Sequence, residues 1–322
     1  MRGAVRLWAV LLTLLGTAGC GLLSRVRHLA PLTTAERDGA IVLRRHVEAL
    51  AAEPHNVTFY PALRSAAEYI EARFHDAGYA PRRQAYVVSG REVANIEVER
   101  VGTMRPERIV VIGAHYDSVG NVPGANDNAS GVAALLELAR RQANGPAGAN
   151  TVRFVAFVNE EPPYFMTDAM GSLAYAARAA RRGEQIIGMI SLETIGYYSD
   201  APDSQRYPAP FHLFFPRRGN FLAMVSNIDS APLLRRVAAA FRRATTLPAI
   251  ASPAPARIPG VGWSDHWSFW QHGYQAIMLT DTAPYRYPHY HTRDDTPDKL
   301  DYERLARVVT GCDEVIRVLS GR

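Results

Sequence analysis

Nearly every apolar run in this chain that reads as a buried strand closes on a carboxylate or an imidazole. "ERIVVIGAHYDS" reaches His115 and Asp117, "VRFVAFVNEE" reaches Glu160 and Glu161, "QIIGMISLETIG" carries Glu193 near its end, and "YQAIMLTD" is followed by His291. The runs are continuous rather than alternating, the pattern of strands covered on both faces. Between them lie stretches with helical spacing, among them "ASGVAALLELARRQA", "MGSLAYAARAARR", "SAPLLRRVAAAFRRAT" and "DYERLARVVTGCDEVIRVL". Strand and helix in alternation predict a largely parallel α/β sheet with helices on both faces. In such sheets ligands bind at the carboxyl ends of the strands. One acid at a strand end is more often a cap or a solvated charge, and adjacent residues point in different directions. Acids and imidazoles at successive strand ends are harder to assign to chance.

The wider composition excludes other classes. At 322 residues the chain can bury a substantial core. Its formal charge of +5 is modest, the basic residues are almost all Arg, and they are scattered. No basic stripe with interleaved aromatics marks a nucleic-acid partner. Arg2 and Arg6 precede the apolar "LWAVLLTLLGTA", too short for a membrane span and read as a signal segment. Thr17, Ala18 and Gly19 then precede Cys20, an order that resembles a lipoprotein signal. The expectation is a signal peptide over 1–19, a lipidated Cys20 and a tether over 20–35. A single catalytic domain over 36–322 follows, exported and anchored to a membrane of the bacterial cell envelope or free in the periplasm. The other cysteine, Cys312, sits in an apolar-periodic segment and reads as a core thiol. Residues 197–227 are irregular and rich in Pro and aromatics, and a loop of that length in a compact domain is usually functional.

Imidazole with several carboxylates and no thiolate suits zinc or a similar divalent ion in a hydrolytic site. A bridging carboxylate lets two ions sit as a pair. Two adjacent glutamates can divide the work, one ligating while its neighbour takes a proton. The prolines after Glu161 fix their own φ angles and stiffen the exit of that strand.

"GAHYDS", "PGANDNASG", "NEE", "SLETIG" and "HYHTRDDTPDKL", in this order, resemble the zinc-dependent aminopeptidase family of the bacterial leucyl aminopeptidases. Glutamate carboxypeptidase II and the glutaminyl cyclases are its relatives. The resemblance spans roughly residues 60–318. It implies a three-layer α/β/α sandwich with a mixed, largely parallel central sheet, of the zinc-exopeptidase type. It further implies a peptide substrate hydrolysed at its N-terminus by zinc-activated water. By position, His115 and Glu193 bind one zinc, Glu161 and His291 the second, and Asp127 bridges them. Glu160 is the general base, and Asp117 orients His115. Two Zn2+ per chain are expected, with one as the alternative found in cyclase relatives. Tyr290 and the "SDH" of Ser264 to His266 resemble positions at the rim of the site. Two departures stand out: Glu193 occupies a place where the family usually has Asp, and Asp127 lies between Asn126 and Asn128 where acids are common. His266 and His289 read as structural rather than ligating. Two other readings remain open at this point. One is a cyclase-like acyltransferase, which forms pyroglutamate; the other is a zinc-binding domain without catalysis.

Overall fold

β3 (Arg105–His115) lies near the middle of a sheet whose order is β1-β2-β4-β3-β5-β8-β6-β7. The other strands are β1 (Arg82–Val88), β2 (Arg91–Arg100), β4 (Asn150–Phe157), β5 (Gln185–Glu193), β6 (Leu222–Ser226), β7 (Ala249–Pro253) and β8 (Ala276–Thr280). This is a computed structural model that describes residues 29–208 and 211–322; the expected signal segment and Cys20 lie outside the described residues. β4, β3, β5 and β8 run parallel, whereas β2 is antiparallel to β4 and β6 is antiparallel to β8. The sheet is thus mixed and largely parallel, as the resemblance implied. Its parallel centre brings the carboxyl ends of four neighbouring strands to one rim.

Period-two alternation divides the core. Val110 and Ile112 of β3 face one way, into a cluster with α1 (Thr34–Leu50), α2 (Tyr60–Asp76), α3 (Ser130–Asn144), α5 (Ala231–Ala244) and α8 (Tyr302–Ser320). Ile109 and Val111 face the other way, packing with Tyr175 of α4 (Gly171–Arg181) and Phe269 of α6 (His266–Trp270). Helices therefore cover both faces. A capping box starts α1: the Thr33 hydroxyl accepts from the Glu36 amide and the Glu36 carboxylate accepts from the Thr33 amide.

Two strands and two short helices escaped the sequence reading. β6 and β7 are five residues each, and β6 lies inside the 197–227 segment read as irregular. Their pairing with β8 and with each other is long-range, so no local pattern announces them. α6 and α7 (Ala283–Arg286) are helices of only five and four residues, too short to show a period. Among the described residues no helix is long and apolar enough to cross a membrane.

Candidate metal centre

β3 ends on His115 and β5 on Glu193, adjacent strands in the sheet, so both side chains reach the same rim. His115 Nε2 lies 3.4 Å from Glu193 Oε2 and 3.3 Å from Asp127 Oδ1. On the other side of Asp127, His291 Nε2 lies 3.1 Å from Asp127 Oδ2 and 3.5 Å from Glu161 Oε2. The structure thus brings together all five residues to which the resemblance gave a ligand role. They form two overlapping triads, His115–Asp127–Glu193 and Asp127–Glu161–His291, with Asp127 in both.

Asp117 explains how two adjacent glutamates come to face one site. Its Oδ1 accepts the amide of Glu160 and its Oδ2 the amide of Glu161, both at 3.1 Å. The preceding Asn159 adopts a left-handed φ of 59°, which turns the chain at the end of β4. Glu160 then points toward His115, at 3.8 Å, and Glu161 toward His291. The expectation that Asp117 orients His115 takes a different form in the structure. Nδ1 of His115 is 3.1 Å from the main-chain oxygen of Asp117 but 3.7 Å from its carboxylate. The carboxylate is committed to the two amides, so the backbone carbonyl is the acceptor that aims the ring.

The asparagines flanking Asp127 hold its turn against β5. Asn126 accepts from the Gly196 amide and donates to Asp281 Oδ2, at 2.9 Å each. Asn128 donates to the Leu192 carbonyl and accepts from the amides of Gly131 and Thr194. Asp295 supports the same turn from the far side, accepting the amides of Asn126 at 2.8 Å and Asp127 at 3.1 Å and the Tyr287 hydroxyl at 2.8 Å. Asp281 and Asp295 were not singled out in the sequence, although Asp295 lies within the quoted "HYHTRDDTPDKL". Acids that serve backbone amides carry no spacing signal.

The "SDH" residues are not at a rim: Ser264, Asp265 and His266 are fully buried. Ser264 Oγ donates to Glu193 Oε2 at 2.8 Å. His266 donates through Nε2 to the Val261 carbonyl, and burial lowers its pKa to about 4, so it is a neutral structural imidazole. Tyr290 is half-buried and its ring stacks on His291, with centroids 3.8 Å apart. His289 packs edge-on against Tyr287, away from both triads.

Electrostatics mark the site as short of positive charge. Burial, with Glu193 and Glu161 nearby, holds the Glu160 carboxyl well above its ordinary range. Burial and the neighbouring Asp127 push Glu161 up to about 8, and burial raises Glu193 as well. Burial alone would lower the His115 imidazole, but Glu193 and Glu160 raise it well above 6.5. His115 Nε2, Asp127 Oδ1 and Glu161 Oε1 are buried with no hydrogen-bond partner among the described residues. Buried polar atoms are rarely left so. A buried nitrogen and two buried carboxylate oxygens, unpaired and all on residues of the two triads, fit divalent zinc by donor type.

Beside Glu193 and Tyr290 opens an apolar cavity of about 150 Å³. Tyr207, Phe211, Phe215, Met224, Val225 and Tyr285 are among its walls. The 197–227 segment and β6 thus contribute a wall to the site region.

Residues 95–316 match the model of peptidase family M28, a span that holds both triads, Asp117 and Glu160. The chain belongs to peptidase family M28. That makes it a metallopeptidase by family, and the donor set is the one zinc takes. An uncharacterized Escherichia coli protein, YfbL, is 42% identical over 260 residues, covering 77% of this chain and 78% of its own. A probable leucine aminopeptidase 1 of Trichophyton verrucosum is 29% identical over 262 residues, covering 76% of this chain and 64% of that protein. The chain therefore spans somewhat less than two thirds of that fungal relative. An aminopeptidase of Aneurinibacillus sp. strain AM-1 superposes with a TM-score of 0.65 at 19% identity, covering 88% of this chain and 94% of its own. A glutaminyl cyclase of Fimbriiglobus ruber also superposes with a TM-score of 0.65, at 18% identity, covering 90% and 97%. The fold is shared equally with both activities, so the backbone does not choose between them.

Proposed function

We propose that this M28 peptidase is a zinc-dependent aminopeptidase that removes large apolar residues from the N-termini of peptides. The observation that carries the reading is the apolar cavity, which shares Glu193 and Tyr290 with the acidic centre. An apolar cavity of about this volume takes up a benzene-sized group, so a leucine or phenylalanine side chain fits. With that side chain in the cavity, the α-ammonium of the same residue falls beside Glu193. Attraction between them is strengthened where water is excluded. An acylated amine carries no charge to attract.

Zinc, when bound by the two triads, supplies Lewis-acid polarisation of the scissile carbonyl and acidifies water. The remaining steps belong to the chain's own groups. Asp117 orients Glu160 and Glu161 through their amides, so the two carboxylates keep fixed directions. Glu160 belongs to neither triad, which leaves it the base. It accepts the proton of the attacking water and returns it to the departing nitrogen. Two ions sharing Asp127 is the stoichiometry that the overlapping triads favour.

The cyclase reading draws on the Fimbriiglobus ruber superposition. It asks for a pocket that accepts a glutamine side chain, whereas this cavity is walled by aromatic and aliphatic groups. A panel of free-amine dipeptide amides starting with Leu, Phe, Gly, Glu or Gln tests the two together. Rapid release of free Leu and Phe is expected. Conversion of the Gln substrate to pyroglutamate without release of an amino acid would overturn the reading.

We also propose export and a lipid on Cys20, on the order Thr17-Ala18-Gly19-Cys20 after an apolar run. Cys20→Ser is expected to release the protein from membranes or leave an unprocessed precursor. Unchanged membrane partition with normal cleavage would rule the anchor out.

A further inference from the structure

The arginines that are scattered in the sequence form a surface once α5 is folded. The helix carries Arg235, Arg236, Arg242 and Arg243 and no acidic residue between Ala231 and Ala244. Positions seven apart lie two turns along the same side of a helix. Arg235 therefore lines up with Arg242, and Arg236 with Arg243, with the exposed Ala239 between them. Leu233, Leu234, Val237, Ala238, Ala240 and Phe241 occupy the buried side. Arg235 and Arg236 are exposed and have no hydrogen-bond or ion-pair partner among the described residues. Arg242 donates to the Ala249 carbonyl, and Arg243 is 3.6 Å from Glu314 with 59% of its side chain exposed. None of the four lines the apolar cavity.

A second observation places this face relative to the start of the described chain. α5 packs against α8, and α8 also packs against α1. Arg307 of α8 donates to the carbonyl of Ala30, at the start of the described chain. Residue 30, where the preceding chain joins the described residues, therefore lies on the same helical layer as α5. Arg44 and Arg45 of α1 are exposed on that layer too.

We propose that the outer face of α5 docks on the phosphodiester headgroups of an anionic phospholipid bilayer. Guanidinium groups bind phosphate oxygens in pairs and are weakly hydrated, which suits a headgroup layer. The exposed face bears no aromatic on which a nucleic-acid base could stack. The proposal goes beyond the peptidase reading and is independent of it. It takes from the anchor reading only that the N-terminal segment meets a membrane.

The test offers the full chain a mixture of two vesicle types, phosphatidylcholine alone and phosphatidylcholine with phosphatidylglycerol, separated after flotation. The N-terminal segment contributes alike to wild type and variants, so the comparison between them reports α5. The wild type is expected to prefer the anionic vesicles, less so as salt rises. The double variant Arg235→Glu/Arg236→Glu is expected to lose on the order of tenfold or more of that preference. Its hydrolysis of a soluble aminoacyl amide should be unchanged, which shows that it folds. Arg235→Lys/Arg236→Lys should keep most of the preference. Cys20→Ser changes the total bound and not the ratio between vesicles, so failure of the anchor is seen separately. Equal ratios for wild type and the glutamate variant overturn the proposal. So does retention on duplex DNA with no vesicle preference, which would make the face a nucleic-acid surface.

Discussion

Ser264 Oγ donates a hydrogen bond to Glu193 Oε2 at 2.8 Å, and Ser191 Oγ lies a further 2.8 Å from Ser264 Oγ. The chain of hydroxyls fixes a carboxylate that stands one methylene farther from the backbone than the aspartate usual in the family. A longer side chain has more rotamers to lose, and an outer hydrogen bond selects one of them. Ser264→Ala is expected to lower zinc affinity by roughly tenfold, with turnover recovered at higher zinc. Titration against a competing chelator measures it; unchanged affinity would show that Glu193 is held without Ser264.

Glu160 and Glu161 share one orienting carboxylate but face different histidines. Glu160→Gln should retain zinc and lose turnover by on the order of 10²–10⁴-fold, from lost proton transfer. His291→Ala should lose zinc as well as turnover. Metal content by mass spectrometry beside initial rates separates the two. A Glu160→Gln protein depleted of zinc would make Glu160 a ligand.

The positions of these acids were legible because buried strands are continuous apolar runs and each ends where its pattern breaks. His115 and Glu193 terminate β3 and β5 as read, and Glu160 and Glu161 follow β4. What escaped notice depends on distant partners. Asp295 shows its purpose only when the Asp127 turn is laid against it, 168 residues away in sequence. Ser264 looked like part of a rim because nothing local says that Glu193 closes over it. The cavity was hidden for the same reason, since β6 and β7 form its wall only through pairing with β8 and each other.

Asp295 accepts two buried amides and a tyrosine hydroxyl. Asp295→Ala leaves all three donors without that acceptor. Each unsatisfied buried donor costs about 1–3 kcal/mol, so a loss on the order of 3 kcal/mol is expected in urea unfolding. Asp295→Asn, which keeps acceptor oxygen, should lose less. A loss under about 1 kcal/mol for the alanine variant would mean that water takes over the role.

Asp281 gives a pH dependence with a definite sign. Burial raises its pKa from 3.8 to about 7, partly offset by Arg286. A carboxyl raised in the folded state favours folding fully below its unfolded pKa, and that contribution is lost as pH climbs through the folded value. Stability should therefore fall between about pH 4 and pH 7 by an amount of at most ~4 kcal/mol from this group. Asp281→Asn cannot ionise and should flatten that part of the curve. Denaturant midpoints across the range measure it; an identical slope in the variant would contradict the assignment.

Metal-dependent attack at a free N-terminus is the centre of the account. It is tested most directly by one comparison on one preparation. The protein is stripped by a chelator, reloaded with zinc, and offered leucyl-peptide amide and its N-acetyl form, with products identified by mass. Leucine released from the free-amine peptide only, absent after stripping and restored by zinc, is the expected result. Cleavage of the acetylated peptide at an equal rate, release of the last residue instead of the first, or full activity in the stripped protein would contradict it.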